Sequence, residues 1–163
     1  MLNIPTALLD TLRTKNNILI AATNHPELLD KAIWRRFNHV IEIGMPKENE
    51  VLDLINKFTD SFKIDFIDDK KKFEKLVKLF EGKSPSDIKT IINNAKTQAV
   101  IHGDGTLTYD ELLFEIFEFN NHGVVSFDKM IEFLNDNGIS QAAIADKMNV
   151  SLRQVRNYLN KQS

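Results

Sequence analysis

Residues 17–46 read NILIAATNHPELLDKAIWRRFNHVIEIGMP, and the fold turns on this stretch. Ile18 to Ala22 is a continuous apolar run, too short for a buried helix, so it reads as a strand covered on both faces. Val40, Ile41 and Ile43 read as a second strand. Between them the turn signal Asn24-His25-Pro26 precedes a short helix over Leu28 to Phe37. The first strand ends at the polar pair Thr23-Asn24. Ligands of open α/β sheets sit beyond the carboxyl ends of strands, so the Asn24 amide is placed to orient a water or a phosphate. Arg35 and Arg36 stand just before the second strand, and their forked guanidiniums suit phosphate oxygens. Taken alone, such a pair reads more readily as a solvated edge, and it is the surrounding stretch that favours the phosphate reading.

From Pro46 onward the pattern turns helical. Val51, Leu54, Ile55 and Phe58 share one stripe, as do Phe73, Leu76, Val77 and Phe80. Ser84-Pro85-Ser86-Asp87 opens a third helix, with serine as cap, proline in the first turn and a carboxylate facing the positive dipole end. Its buried stripe is Ile88, Ile91, Ile92 and Ala95. Thr108 and Glu111 form a capping box for a fourth helix, with Leu112, Leu113, Ile116 and Phe117 inside. Asn120-Asn121-His122-Gly123 marks a boundary. Three short helices follow, over Ser126–Asn135, Ser140–Met148 and Ser151–Leu159, each starting with serine.

In this order the residues resemble the second half of the core domain of AAA-type ATPases, followed by the helical lid. The likeness covers roughly residues 7 to 119, and Arg35-Arg36-Phe37 is more similar to the katanin-like branch than to the proteasomal one. The resemblance implies that Asn24 is the sensor-1 asparagine. It also implies that Arg35 and Arg36 are arginine fingers acting on ATP bound by a neighbouring subunit, hence an oligomeric ring. A trans-acting arginine is worth on the order of 10³–10⁵ in rate in phosphoryl-transfer enzymes. Gly82, Ser84, Pro85 and Ser86 match the lid turn that faces the nucleotide, although Ser86 stands where relatives with Ser-Pro often carry a sensor-2 arginine. ATP and Mg²⁺ are expected only in the complete protein. The chain has no Gly-x-x-x-x-Gly-Lys-Ser/Thr loop and no apolar strand ending in Asp-Glu, so by itself it is expected to be inactive. It reads as the C-terminal part of a longer protein, or the product of a truncated gene. Residues 1–45 lack the strand that would lie between their two, so they are expected to be poorly ordered, rearranged or paired with another chain.

The segment SQAAIADKMNVSLRQVRNYLNK, residues 140–161, has helix-turn-helix spacing. Asn149 takes the tight turn, Ser151 and Gln154 form a capping box, and Val150, Val155 and Tyr158 face inward. The exposed candidates for DNA contact are Ser151, Arg153, Gln154, Arg156, Asn157 and Lys161. From residue 121 onward five Lys/Arg stand against four Asp/Glu, far from a strongly basic footprint, so DNA and protein partners remain equal alternatives.

Composition sets the outer limits. The 163 residues are 42% hydrophobic with a formal charge of −2 and no cysteine, which excludes disulfides and thiolate metal sites. No run spans a bilayer and no signal peptide is legible, so a cytoplasmic protein without membrane partners is expected. Asp104 to Glu111 matches half of an EF-hand loop, but the leading ligand positions would be Val100 and His102, so a capped helix start is the better reading. The four histidines are dispersed, and no metal site is expected. The expected architecture is mainly α. An incomplete α/β core segment with two short strands occupies residues 1–45, a four-helix lid 46–120, and a trihelical tail 121–163. The implied function is ATP-driven remodelling of a protein or nucleic-acid complex. The rival is a non-catalytic DNA-binding or adaptor module acting through the tail.

Overall fold

The computed structural model describes residues 18–66, 68–123 and 126–160. Eight helices and one pair of strands are described: α1 (Lys31–Trp34), α2 (Glu48–Thr59), β1 (Lys63–Ile64), α3 (Lys70–Phe80), α4 (Pro85–His102), β2 (Thr106–Leu107), α5 (Tyr109–Asn120), α6 (Phe127–Asp136), α7 (Gln141–Lys147) and α8 (Leu152–Asn160). The chain divides between Gly44 and Met45 into two compact units.

In the first unit neither expected strand forms. Residues 18–23 and 39–46 carry no regular element, and Ile18, Ile41 and Ile43 are 90%, 83% and 90% exposed. A strand exists only through ladder bonds to a neighbour, and the described residues of this unit supply none. The expected helix is also shorter. A 3₁₀ turn over Pro26–Leu28 comes first, and Asp30 then caps α1 by accepting a hydrogen bond from the Ala32 N–H at 2.8 Å.

The second unit is built on apolar stripes read directly from sequence. Ile88, Ile91, Ile92 and Ala95 of α4 are fully buried, and α4 packs against α2, α5 and β2. Val51 and Ile55 of α2, Leu76 and Phe80 of α3, and Leu112, Leu113 and Ile116 of α5 complete the same core. That core continues into the last three helices through Met130, Ile131, Leu134, Ile144 and Val155. The junction is made by α5 against α6, where the rings of Phe117 and Phe133 lie 5.3 Å apart.

The paired strands lie in this unit, in parallel, with Lys63 opposite Thr106 and Ile64 opposite Leu107. The Asp65 N–H extends the ladder to the Leu107 carbonyl at 3.2 Å. Its carboxylate also takes the first free N–H of α5, that of Tyr109, at 3.0 Å. Reciprocal capping boxes close the starts of α4 (Ser84 with Asp87) and α5 (Thr108 with Glu111). Ser126, expected to cap α6, makes no capping bond with its side chain.

Candidate functional site

In the first unit the polar residues sit on short, locally bonded turns. The Thr23 hydroxyl accepts from the His25 N–H at 3.0 Å, a side-chain turn that leaves Asn24 exposed at its crest. The chain then runs through α1, and the two arginines meet at its C-terminal end. Their environments differ. Arg36 folds back along the helix, its Nη1 donating to the Ala32 carbonyl at 2.7 Å, a helix-end carbonyl suited to a cation. Arg35 caps the helix through its backbone N–H, and its side chain is exposed.

In the second unit the turn between α3 and α4 is rigidly specified. Gly82 adopts φ +74°, a conformation that favours glycine, and the Lys83 N–H then reaches the Phe80 carbonyl at 3.1 Å. Lys83 Nζ bonds the Asn120 side chain at the far end of α5. The start of α4 is already occupied. The Asp87 carboxylate accepts from the Ser84 N–H at 3.1 Å and from the Ser84 hydroxyl at 2.7 Å, while that hydroxyl accepts from the Asp87 N–H. Pro85 has no N–H, and Pro85 and Ser86 are exposed. A carboxylate therefore sits where an anionic ligand would bind. Among the described residues no glycine loop cradles phosphate, and no group of three or more His, Asp and Glu is arranged to hold a metal ion.

At the chain's end, α7 and α8 are joined through Asn149, which adopts φ +52°. Ser151 and Gln154 form the expected box, with the Gln154 N–H donating to Ser151 Oγ at 3.2 Å and the Ser151 N–H to Gln154 Oε1 at 2.9 Å. Val155 is buried, whereas Ser151, Arg153, Gln154, Arg156 and Asn157 are exposed; Lys161 lies outside the described residues. Beside α8, the α6 residues Asp128, Glu132 and Asp136 share the rim of a small cavity with Tyr158.

Residues 3–45 match the sequence model of the ATPase family associated with various cellular activities (AAA). Those residues are similar to that family. It is 36% identical over 84 residues to a proteasome-activating nucleotidase of Methanococcus maripaludis, covering 50% of this chain and 20% of that protein. It is 39% identical over 85 residues to a ribosome biogenesis ATPase of Saccharomyces cerevisiae, 51% of this chain and 10% of the relative. With a proteasome-activating nucleotidase of Saccharolobus islandicus it shares 32% identity over 115 residues, 69% of this chain and 28% of that one. The chain thus spans between 10% and 28% of the length of these relatives. No solved structure matches it.

The alignments with relatives are longer than residues 3–45, so AAA likeness runs past Met45 into the helical unit. Asn24, Arg35 and Arg36 all fall inside the family match. Among the described residues of the chain no helix is long and apolar enough to cross a membrane. One group carried no signal in the sequence. Glu115 of α5 is only 7% exposed, and burial, with Glu118 nearby, pushes its carboxyl above the usual range although the Asn94 side chain opposes this. Nothing in the alternation of α5 separates Glu115 from its half-buried neighbour Glu118.

Proposed function

We infer that this chain is part of an AAA ATPase ring that couples ATP hydrolysis to remodelling of a protein or nucleic-acid complex. Asn24 positions the attacking water, and Arg35 with Arg36 completes the catalytic site of the neighbouring subunit. The observation that carries this reading is the exposed Arg35 guanidinium, offered at the end of α1 within the family match. A guanidinium acting in trans must leave its own subunit's surface, and its forked donors suit the charge that builds on a transferring phosphoryl group. Arg36, bonded to its own helix, steadies that end of α1 and is the lesser finger. ATP and Mg²⁺ are held by Walker elements that the 163 residues lack, and the lid turn at Gly82, Ser84, Pro85 and Ser86 closes near the nucleotide. The chain alone is inactive.

The test is ATP turnover by the chain alone, and by the chain joined to the Walker-bearing segment of the AAA relative from Methanococcus maripaludis. Turnover should arise only in the joined protein and fall at least about 10³-fold with Arg35→Ala. Hydrolysis by the chain alone, or a joined enzyme indifferent to Arg35, would refute the reading.

A second reading rests on the outer face of α8, where Arg153, Arg156 and Asn157 are exposed beside the left-handed turn at Asn149. This helix-turn-helix-like end binds DNA or docks a protein, and the acidic rim of Asp128, Glu132 and Asp136 favours the protein partner. Duplex DNA binding that weakens with salt and is lost with Arg153→Ala and Arg156→Ala would instead select DNA.

A further inference from the structure

A groove of about 710 Å³ runs between α2 and α3, and none of the candidate site residues above lines it. It arises because α2 carries a second, outward stripe and α3 presents the edge of its core stripe. On α2, Glu48, Leu52 and Asn56 recur every four residues; on α3, Lys70, Phe73, Glu74 and Val77 fall at helical spacing. Since α2 packs on α3, the two stripes face one another across the groove. Its floor is apolar. Val77 is buried, Phe73 half-buried, and Leu52 remains 38% exposed. The walls are acidic. Three carboxylates, Glu48, Asp68 and Glu74, stand against the single cation Lys70, which lies 3.9 Å from Glu74 and is already offset by it.

We propose that this groove docks a basic amphipathic helix of a partner protein. Its apolar side chains cover Leu52 and Phe73, and its Lys or Arg residues meet Glu48, Asp68 and Glu74. A groove between two helices accepts a third by ridge-into-groove packing, and apolar anchors at i and i+3 or i+4 reach such a floor. The side-chain amides of Asn49 and Asn56 on the α2 wall supply neutral hydrogen-bonding groups at the rim. The uncompensated negative charge selects against acidic segments, because like charges brought together at a partly desolvated rim cost affinity. This site is independent of the nucleotide-dependent reading above.

The experiment is fluorescence anisotropy of the full chain with two labelled helical peptides, identical in their leucine anchors but carrying lysines in one and glutamates in the other. The lysine peptide is expected to bind saturably and to weaken as salt rises from about 50 to about 300 mM. Leu52→Ala, and separately Asp68→Lys with Glu74→Lys, should each weaken it by about tenfold, equivalent to about 1.4 kcal/mol, with helicity by circular dichroism unchanged. Equal binding of both peptides overturns the proposal, as does failure of the lysine peptide to saturate at about millimolar concentration. Sedimentation supplies a further check: self-association of the chain that Leu52→Ala abolishes would assign the groove to a second copy and reject the partner helix.

Discussion

The phenol of Tyr109, at the first position of α5, donates to the carbonyl of Asn137, the residue that ends α6, at 3.3 Å. Tyr109 is 1% exposed, with the ring of Phe66 6.0 Å away edge-on. One side chain thus ties the start of α5 to the turn between α6 and α7. Tyr109→Phe should keep the packing and leave the Asn137 carbonyl without this donor, lowering stability by about 1 kcal/mol in urea unfolding.

The same burial, with Asp110 and Asp69 adding negative charge, raises the Tyr109 hydroxyl to about 12. A group whose folded value exceeds its unfolded one of about 10 contributes stability below that unfolded value and loses it as pH rises through the folded one. The chain should therefore weaken between pH 10 and about 12, and Tyr109→Phe should flatten that limb. An unchanged alkaline profile in the variant would assign the loss to other groups.

Glu115 obeys the same sign at acidic to neutral pH. Its carboxyl is raised first by burial and then by Glu118, so its ionised form is disfavoured in the folded chain. Stability linked to Glu115 is complete below the ordinary value of about 4.3 and declines as pH rises through the elevated one. Glu115→Gln should match the native chain in acid and exceed it at pH 7. Thermal melts across that range provide the comparison.

The Ser84–Asp87 box predicts a loss of about 1 kcal/mol for Ser84→Ala, because the Asp87 N–H and the Asp87 carboxylate each lose a partner. Hydrogen exchange should localise the loss to the first turn of α4.

Asn149 holds φ +52° between α7 and α8. Asn149→Gly should be tolerated, whereas Asn149→Val should cost roughly 1–2 kcal/mol or more, since a branched side chain clashes in the left-handed region. Equal stability of the two variants would mean that the turn relaxes to another conformation.

Much of this protein was settled by the sequence alone. The apolar spacing of α2 through α5, and of α8, identified the buried stripes, since a helix makes its own backbone bonds and needs only one apolar face to find a core. The caps at Ser84, Thr108 and Ser151, and the left-handed Asn149, were legible because they depend on groups within three or four residues. The AAA likeness of residues 17–46 was legible as well, through Thr23-Asn24 and Arg35-Arg36-Phe37.

Tertiary structure decided whatever required a distant partner. Ile18–Ala22 and Val40–Ile43 have strand-like composition, yet they form no strand, because a ladder requires another chain segment beside them. Lys63–Ile64 and Thr106–Leu107 do pair, and two-residue strands are too short to show alternation. The burial of Glu115, the different fates of Arg35 and Arg36, and the shared core from Val51 to Val155 likewise depend on what lies across a packed surface. Local hydrogen bonds and periodicity are written in consecutive residues, whereas long-range packing fixes which of the exposed and charged side chains remain free to act.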